Sequence, residues 1–167
     1  MLEIIQAGEV APSADQVAGR ADVGLRTVFR HFQDMDSLYR EMSVAIEAEL
    51  RTVVEQPFRS ADWRERLIEL IGRRAVAFER IAPFKRASDV FRHRSKFLAA
   101  DGVRLVEALR DILVSQLPPQ IAADTPRLEA LDLLMSFESW SRLRREQGLT
   151  PRQAQATLEA AIRRLID

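Results

Sequence analysis

An all-α fold is what this sequence predicts, and three observations predict it. Apolar residues recur at helical spacing along nearly the whole chain, while runs alternating with the period of two that a strand requires are almost absent. Glycine and proline, six and seven in number, fall between the periodic runs, where they act as stops. The chain has no cysteine, so no disulfide, thiol nucleophile or thiolate zinc site is available and packing has to hold the helices together. A length of 167 residues allows one good core, or a small module leaning on a larger one.

Taken in order, Ser13-Ala14-Asp15-Gln16 reads as a capping box, and Val17, Ala18 and Ala21 give a helix of barely two turns with a small-residue inner face. Such a helix is too short to stand alone. After the turn Asp22-Val23-Gly24 comes another short helix, Leu25 to His31, with Val28, Phe29 and Phe32 packing and Arg26, Thr27, Arg30 and His31 facing out. Asp34 and Asp36 open a longer helix striped by Leu38, Met42, Ile46, Leu50 and Val53, which Pro57 ends. Trp63, Leu67, Leu70, Ile71, Ala75, Phe78 and Ala82 form the next stripe, from Ser60 to a stop at Pro83.

A shorter segment carries Phe84, Ala87, Phe91 and Leu98. Asp101-Gly102 separates it from the stripe Leu105, Leu109, Ile112, Leu113 and Leu117, ended by Pro118-Pro119. One helix then carries Leu128, Leu131, Leu133, Leu134, Met135, Phe137, Trp140 and Leu143 on more than one side, which calls for two covers: its own core and a partner. Gly148 stops it. Thr150-Pro151-Arg152-Gln153 is a second capping box with proline at the first helical position, and the last helix buries Ala154, Leu158, Ala161, Ile162 and Leu165.

With 47% apolar and 30% charged residues the balance is that of a globular protein. No apolar run approaches the roughly 18 residues needed to span a bilayer, and the start lacks a leader pattern, so a cytoplasmic protein without membrane partners is expected. Cations and anions number 25 each, so any case for nucleic acid must be local. No Gly-rich phosphate loop, paired-histidine motif or Ser/His/Asp arrangement is present, and neither catalysis, cofactor nor metal is expected.

Two short helices, a tight turn and small residues at their crossing are the ingredients of a helix-turn-helix, because the pair must approach closely enough to present its second helix to the major groove. The run Val17-Ala18-Gly19-Arg20-Ala21-Asp22-Val23-Gly24-Leu25-Arg26-Thr27-Val28-Phe29-Arg30-His31-Phe32, followed by Asp34-Met35-Asp36-Ser37-Leu38, resembles the DNA-binding signature of the TetR family of transcriptional regulators. The resemblance covers Leu2 to Met42 closely, and the stretch from Phe137 to Pro151 is similar to the last two helices of the family's dimer interface.

What the resemblance implies is an N-terminal helix-turn-helix domain over residues 1–42 and a helical ligand-binding and dimerisation domain over 43–167. The chain would be a ligand-responsive regulator, expected to repress, that binds a near-palindromic double-stranded operator as a homodimer and leaves it when a small-molecule effector binds. Ser13 would cap the first motif helix with its amide near a phosphate, and Leu25, Arg26, Thr27, Arg30 and His31 would face DNA. The arginines suit guanine, Thr27 a phosphate or base, and Leu25 a thymine methyl. Of the aromatic residues, Trp63, Phe78, Phe84, Phe91, Phe137 and Trp140 are the candidates to line an effector pocket, although most of any such set is ordinary core.

This chain departs from the family pattern in several places. Met35 stands where the family often has lysine, Phe29 where tyrosine is frequent, and Gly24 where serine commonly caps. Leu2 to Gly8 resembles only the last turns of the family's first helix, so a truncated front is expected. Between Ser13 and Met42, Arg20, Arg26, Arg30 and Arg40 face Asp15, Asp22, Asp34, Asp36 and Glu41, a net charge of −1, so sequence-independent affinity for DNA should be low. The alternative is a dimeric all-α small-molecule-binding protein that has lost DNA binding. Lys85, Arg86, Arg92, His93, Arg94 and Lys96 form a basic cluster broken by Asp89; it reads as a solvated helix face or as a contact for an anionic group on the effector.

Overall fold

The computed structural model describes residues 2–9, 12–31, 36–37, 39–40, 43–44, 46–47, 56–93 and 95–166, with backbone alone at 2, 31 and 91. The described residues are helical without any strand, so the all-α expectation holds. The helices are α1 (Leu2–Gln6), α2 (Ala14–Arg20), α3 (Leu25–His31), α4 (Trp63–Phe91), α5 (Lys96–Ser115), α6 (Pro119–Ala122), α7 (Thr125–Leu134), α8 (Phe137–Ser141) and α9 (Pro151–Ile166), with a π-helical turn at Arg142–Glu146. The described residues between 36 and 47 are also helical; the expected stripe positions Leu38, Met42, Leu50 and Val53 lie outside the described residues. Among those described, no helix is long and apolar enough to cross a membrane.

The chain forms two compact units, Met1–Thr52 with Arg80–Val103, and Val53–Glu79 with Arg104–Asp167. The sequence-based boundary after residue 42 divided the chain by role; packing divides it so that α4 and α5 each contribute to both units. In the first unit two small cores form. Ile5, Tyr39, Phe84, Ala87 and Leu98 make one, with Ile46 and Phe97 against it. Val17, Ala18 and Val28 make the other, with Ile4 against it. Adjacent residues of α1 thus serve different cores, as they must on a helix where neighbours point about 100° apart.

In the second unit the buried residues include Leu67, Leu70, Ile71, Ala75 and Phe78 of α4, then Leu113, Leu128, Leu131, Met135 and Trp140, and the inner stripe of α9, Ala154, Leu158, Ile162 and Ile166. α9 packs on α7 and on the π-helical turn. Its capping box forms as expected, with Thr150 N–H donating to Gln153 Oε1 at 2.9 Å and Gln153 N–H to Thr150 Oγ1 at 3.3 Å. Gly148 ends the preceding turn at φ +69°, a conformation that favours glycine.

Two expected helix stops do not stop their helices, and one break falls where none is expected. Pro83 lies inside α4, although an interior proline costs about 3 kcal/mol through its missing donor. Burial of Phe78 and Ile81 before it and Phe84 and Ala87 after it offsets that cost by fixing both sides of the helix in a core. Gly102 lies inside α5, where Asp101 accepts a hydrogen bond from the Ser43 hydroxyl at 3.2 Å. The reverse happens between Leu128 and Leu143, where one helix was expected. Its first part ends at Leu134, and Ser136 starts a new helix by accepting from the Ser139 N–H at 3.1 Å.

Candidate functional site

Some of the residues singled out by the sequence gather in two places, one in each unit. In the first, Ser13 N–H donates to Gln16 Oε1 at 2.7 Å and Gln16 N–H to Ser13 Oγ at 3.2 Å, closing the capping box that starts α2. The Ser13 amide expected near a phosphate is therefore engaged by Gln16. α2 presents only Val17 and Ala18 inward, and these small side chains let Val28 of α3 close against them. Ala21, expected on that inner face, caps the helix end and is exposed. The turn places Asp22 at φ +52°, which a short polar side chain tolerates better than most. The Gly24 carbonyl then accepts from the Thr27 N–H at 2.8 Å to start α3.

Seven residues make α3, and its free surface is a two-by-two array. Leu25 and Phe29 are 38% and 51% exposed and lie one turn apart, as do Arg26 and Arg30, both exposed. Thr27 is half-buried. Phe29 was expected to pack; one position beyond Val28, it is rotated off a contact face that α2 makes narrow. Its exposure is the feature that sequence reasoning missed, although its i+4 spacing from the outward Leu25 carried the signal. Arg20 is tied to Glu3 at 2.6 Å, whereas neither Arg26 nor Arg30 pairs with an acid among the described residues. The side chains of His31, Phe32 and Met35 lie outside the described residues.

The second place is in the other unit. Arg74 of α4 is buried at 5% exposure. It donates through Nη1 to the Met135 carbonyl at 2.7 Å and through Nη2 to the Leu109 carbonyl. Its Nε–H has no partner among the described residues. Burial pulls its pKa down to about 10 against the field of Asp132, so the group is cationic at neutral pH. It lines a chamber of about 10 Å³ with Ile71, Ala75, Phe78, Met135, Trp140 and Leu158. The Trp140 indole is fixed from behind, donating to Glu79 Oε1 at 2.8 Å, and Arg144 holds the same carboxylate at 2.8 and 3.1 Å.

No family model, curated protein or solved structure matches this chain.

Of the six aromatic residues expected around an effector, the structure brings together Phe78 and Trp140 at the chamber, with the Phe137 ring edge-on to Phe78 at 5.5 Å. Trp63 sits at the start of α4, its ring under the Arg64 guanidinium at 4.5 Å. Phe84 belongs to the core around Ile5 and Tyr39 in the first unit, and the Phe91 side chain lies outside the described residues. The basic cluster also belongs to the first unit. Lys85 pairs with Asp89 at 2.8 Å, Arg92 reaches the same carboxylate at 3.8 Å, and His93 and Lys96 are exposed. Among the described residues no three His, Asp or Glu side chains gather closely enough to ligate a metal.

Proposed function

We propose that this chain is a DNA-binding transcriptional regulator of the TetR type, a homodimer whose α2 and α3 form a helix-turn-helix and whose other unit binds a small-molecule effector. The observation that carries the reading is the outward face of α3. Two arginines without an acidic partner among the described residues stand one turn apart beside Leu25 and Phe29, on a helix held by a small-residue crossing. A solitary structural helix has no need of that combination. Arginine pairs bidentately with guanine, and an apolar side chain meets the thymine methyl in the major groove. The other unit supports the effector part of the reading through its apolar chamber with one polar anchor.

The test is selection of preferred duplexes from a random DNA pool, followed by binding to the selected site and to scrambled DNA at two salt concentrations. A near-palindrome with half-sites about one helical turn apart should emerge. Arg30→Ala should weaken binding to it by about 1–3 kcal/mol if Arg30 reads a base, or lower the salt slope by about one unit if it meets phosphate. Enriched sites bound equally well without Arg26 and Arg30 would remove the assignment. A second reading, an all-α small-molecule-binding protein without DNA binding, is favoured by the net negative charge between Ser13 and Met42, and failure to enrich any site would select it.

A further inference from the structure

We propose that Arg74 anchors a buried site for a small organic carboxylate with an apolar body, received between α4, α8 and α9. Three observations point there. A guanidinium carries five N–H donors; the Met135 and Leu109 carbonyls take two, and the Nε–H remains unmatched in a side chain 5% exposed. A buried charge without a bonded counter-ion is costly, and proteins rarely keep one without a use. Asp132, the acid whose field reaches Arg74, is bonded to Arg110 at 2.8 Å, so among the described residues no carboxylate is bonded to the buried cation.

The ligand class follows from the edge left open. Nε–H, with a second hydrogen on the neighbouring terminal nitrogen, presents a planar fork that matches the two oxygens of a carboxylate. Apart from that edge the lining is apolar, from Ile71, Ala75, Phe78, Met135, Trp140 and Leu158. The space of about 10 Å³ suits one water-sized group. An organic acid therefore enters only as the Phe78 and Trp140 side chains give way, and that displacement is how occupancy would be felt by α4 and α8. As the effector site of a regulator this deepens the proposed function and rests on it; as a carboxylate site it rests on Arg74 alone.

The experiment uses the whole chain carrying Trp63→Phe, which leaves Trp140 as the sole indole. Its fluorescence and the Tm are followed against benzoate and butyrate, with benzamide as the uncharged counterpart and chloride as the bare anion. A saturable response to the carboxylates is expected, with a Tm rise of about 5 °C at roughly a hundred times Kd. Benzamide and chloride should bind at least about tenfold more weakly, as should both carboxylates to Arg74→Met. Equal responses to benzamide and benzoate, a response to chloride alone, or full binding by Arg74→Met would each overturn the proposal. So would no response at all, leaving one water as the natural occupant. If Arg74→Met does not fold, Ala75→Leu fills the chamber beside an intact guanidinium and should abolish the response. Carboxylate binding without any selected DNA site would sink the regulator reading and leave this one standing; the opposite result would do the reverse.

Discussion

Arg74 and Phe29 show what single residues conceal. Arg74 falls three positions after Ile71 and four before Phe78, so the helical period put it on the buried stripe of α4. Residue type pulled the reading the other way, because arginine is almost never fully buried. Only the positions of the Met135 and Leu109 carbonyls, set by helices far along the chain, make the burial tolerable. Phe29 was misread for the complementary reason, since an aromatic residue invites burial and only the narrowness of α2 leaves it out. Acidic residues at the surface support a prediction about pH. Glu69 accepts from the Arg59 N–H at 3.0 Å and from Arg73 at 2.7 Å, and these bonds hold its carboxyl below the ordinary 4.5. Hydrogen bonds from Arg110 lower Glu129 in the same way. Both groups bind protons less readily in the folded chain than in the unfolded one. Their contribution is therefore complete above about 4.5 and lost as pH falls through the depressed folded values, with solvent screening keeping it modest. The urea midpoint should hold steady on acidification until that region and then drop, and Glu69→Gln with Glu129→Gln should flatten the drop. A midpoint independent of pH down to about 3 would contradict it.

At the scale of elements, the helical pattern was legible across most of the described residues, and the errors sit at the breaks. Proline and glycine are read as stops because of their local cost, about 3 and about 1 kcal/mol in a helix interior. Pro83 was absorbed because buried neighbours on both sides of it outweigh such a term, and Gly102 continues α5 beside Asp101, which accepts from the Ser43 hydroxyl. Ser136 was overlooked for the opposite reason: serine inside a periodic stretch is unremarkable until it stops accepting solvent and starts accepting the Ser139 N–H. That cap explains the two-sided apolar pattern. By restarting the helix, it lets Phe137, Trp140 and Leu143 be buried as Leu128, Leu131 and Met135 are, where a single continuous helix would have spread them around its circumference. Ser136→Ala should therefore cost about 1 kcal/mol, within the range of N-cap deletions, and quench or shift Trp140 emission in the folded state. Unchanged stability together with unchanged emission would show that the break is held by packing instead.

For the whole molecule, the expected partner is a second copy of the chain. Much of the apolar set that called for it is satisfied internally, but Leu133 of α7 is 66% exposed and Val106 of α5 is 52% exposed. An isologous contact would reuse such a surface on both subunits. Light scattering at micromolar concentration should give twice the 19.0 kDa chain mass, and Leu133→Glu should shift the population to monomer; a wild-type monomer would remove the dimer. The sequence foretold helices well and their grouping poorly, since periodicity reports which face is buried and not which distant helix buries it. Neither unit is a continuous stretch of chain, and this has a temporal meaning. Ile5 and Tyr39 need Phe84, Ala87 and Leu98, which leave the ribosome roughly 2–9 s after residue 52 at about 5–20 residues per second. During each round of synthesis the N-terminal helices therefore wait with apolar faces uncovered. The interval in which a chaperone or a protease meets this protein is written into the order in which its helices are made.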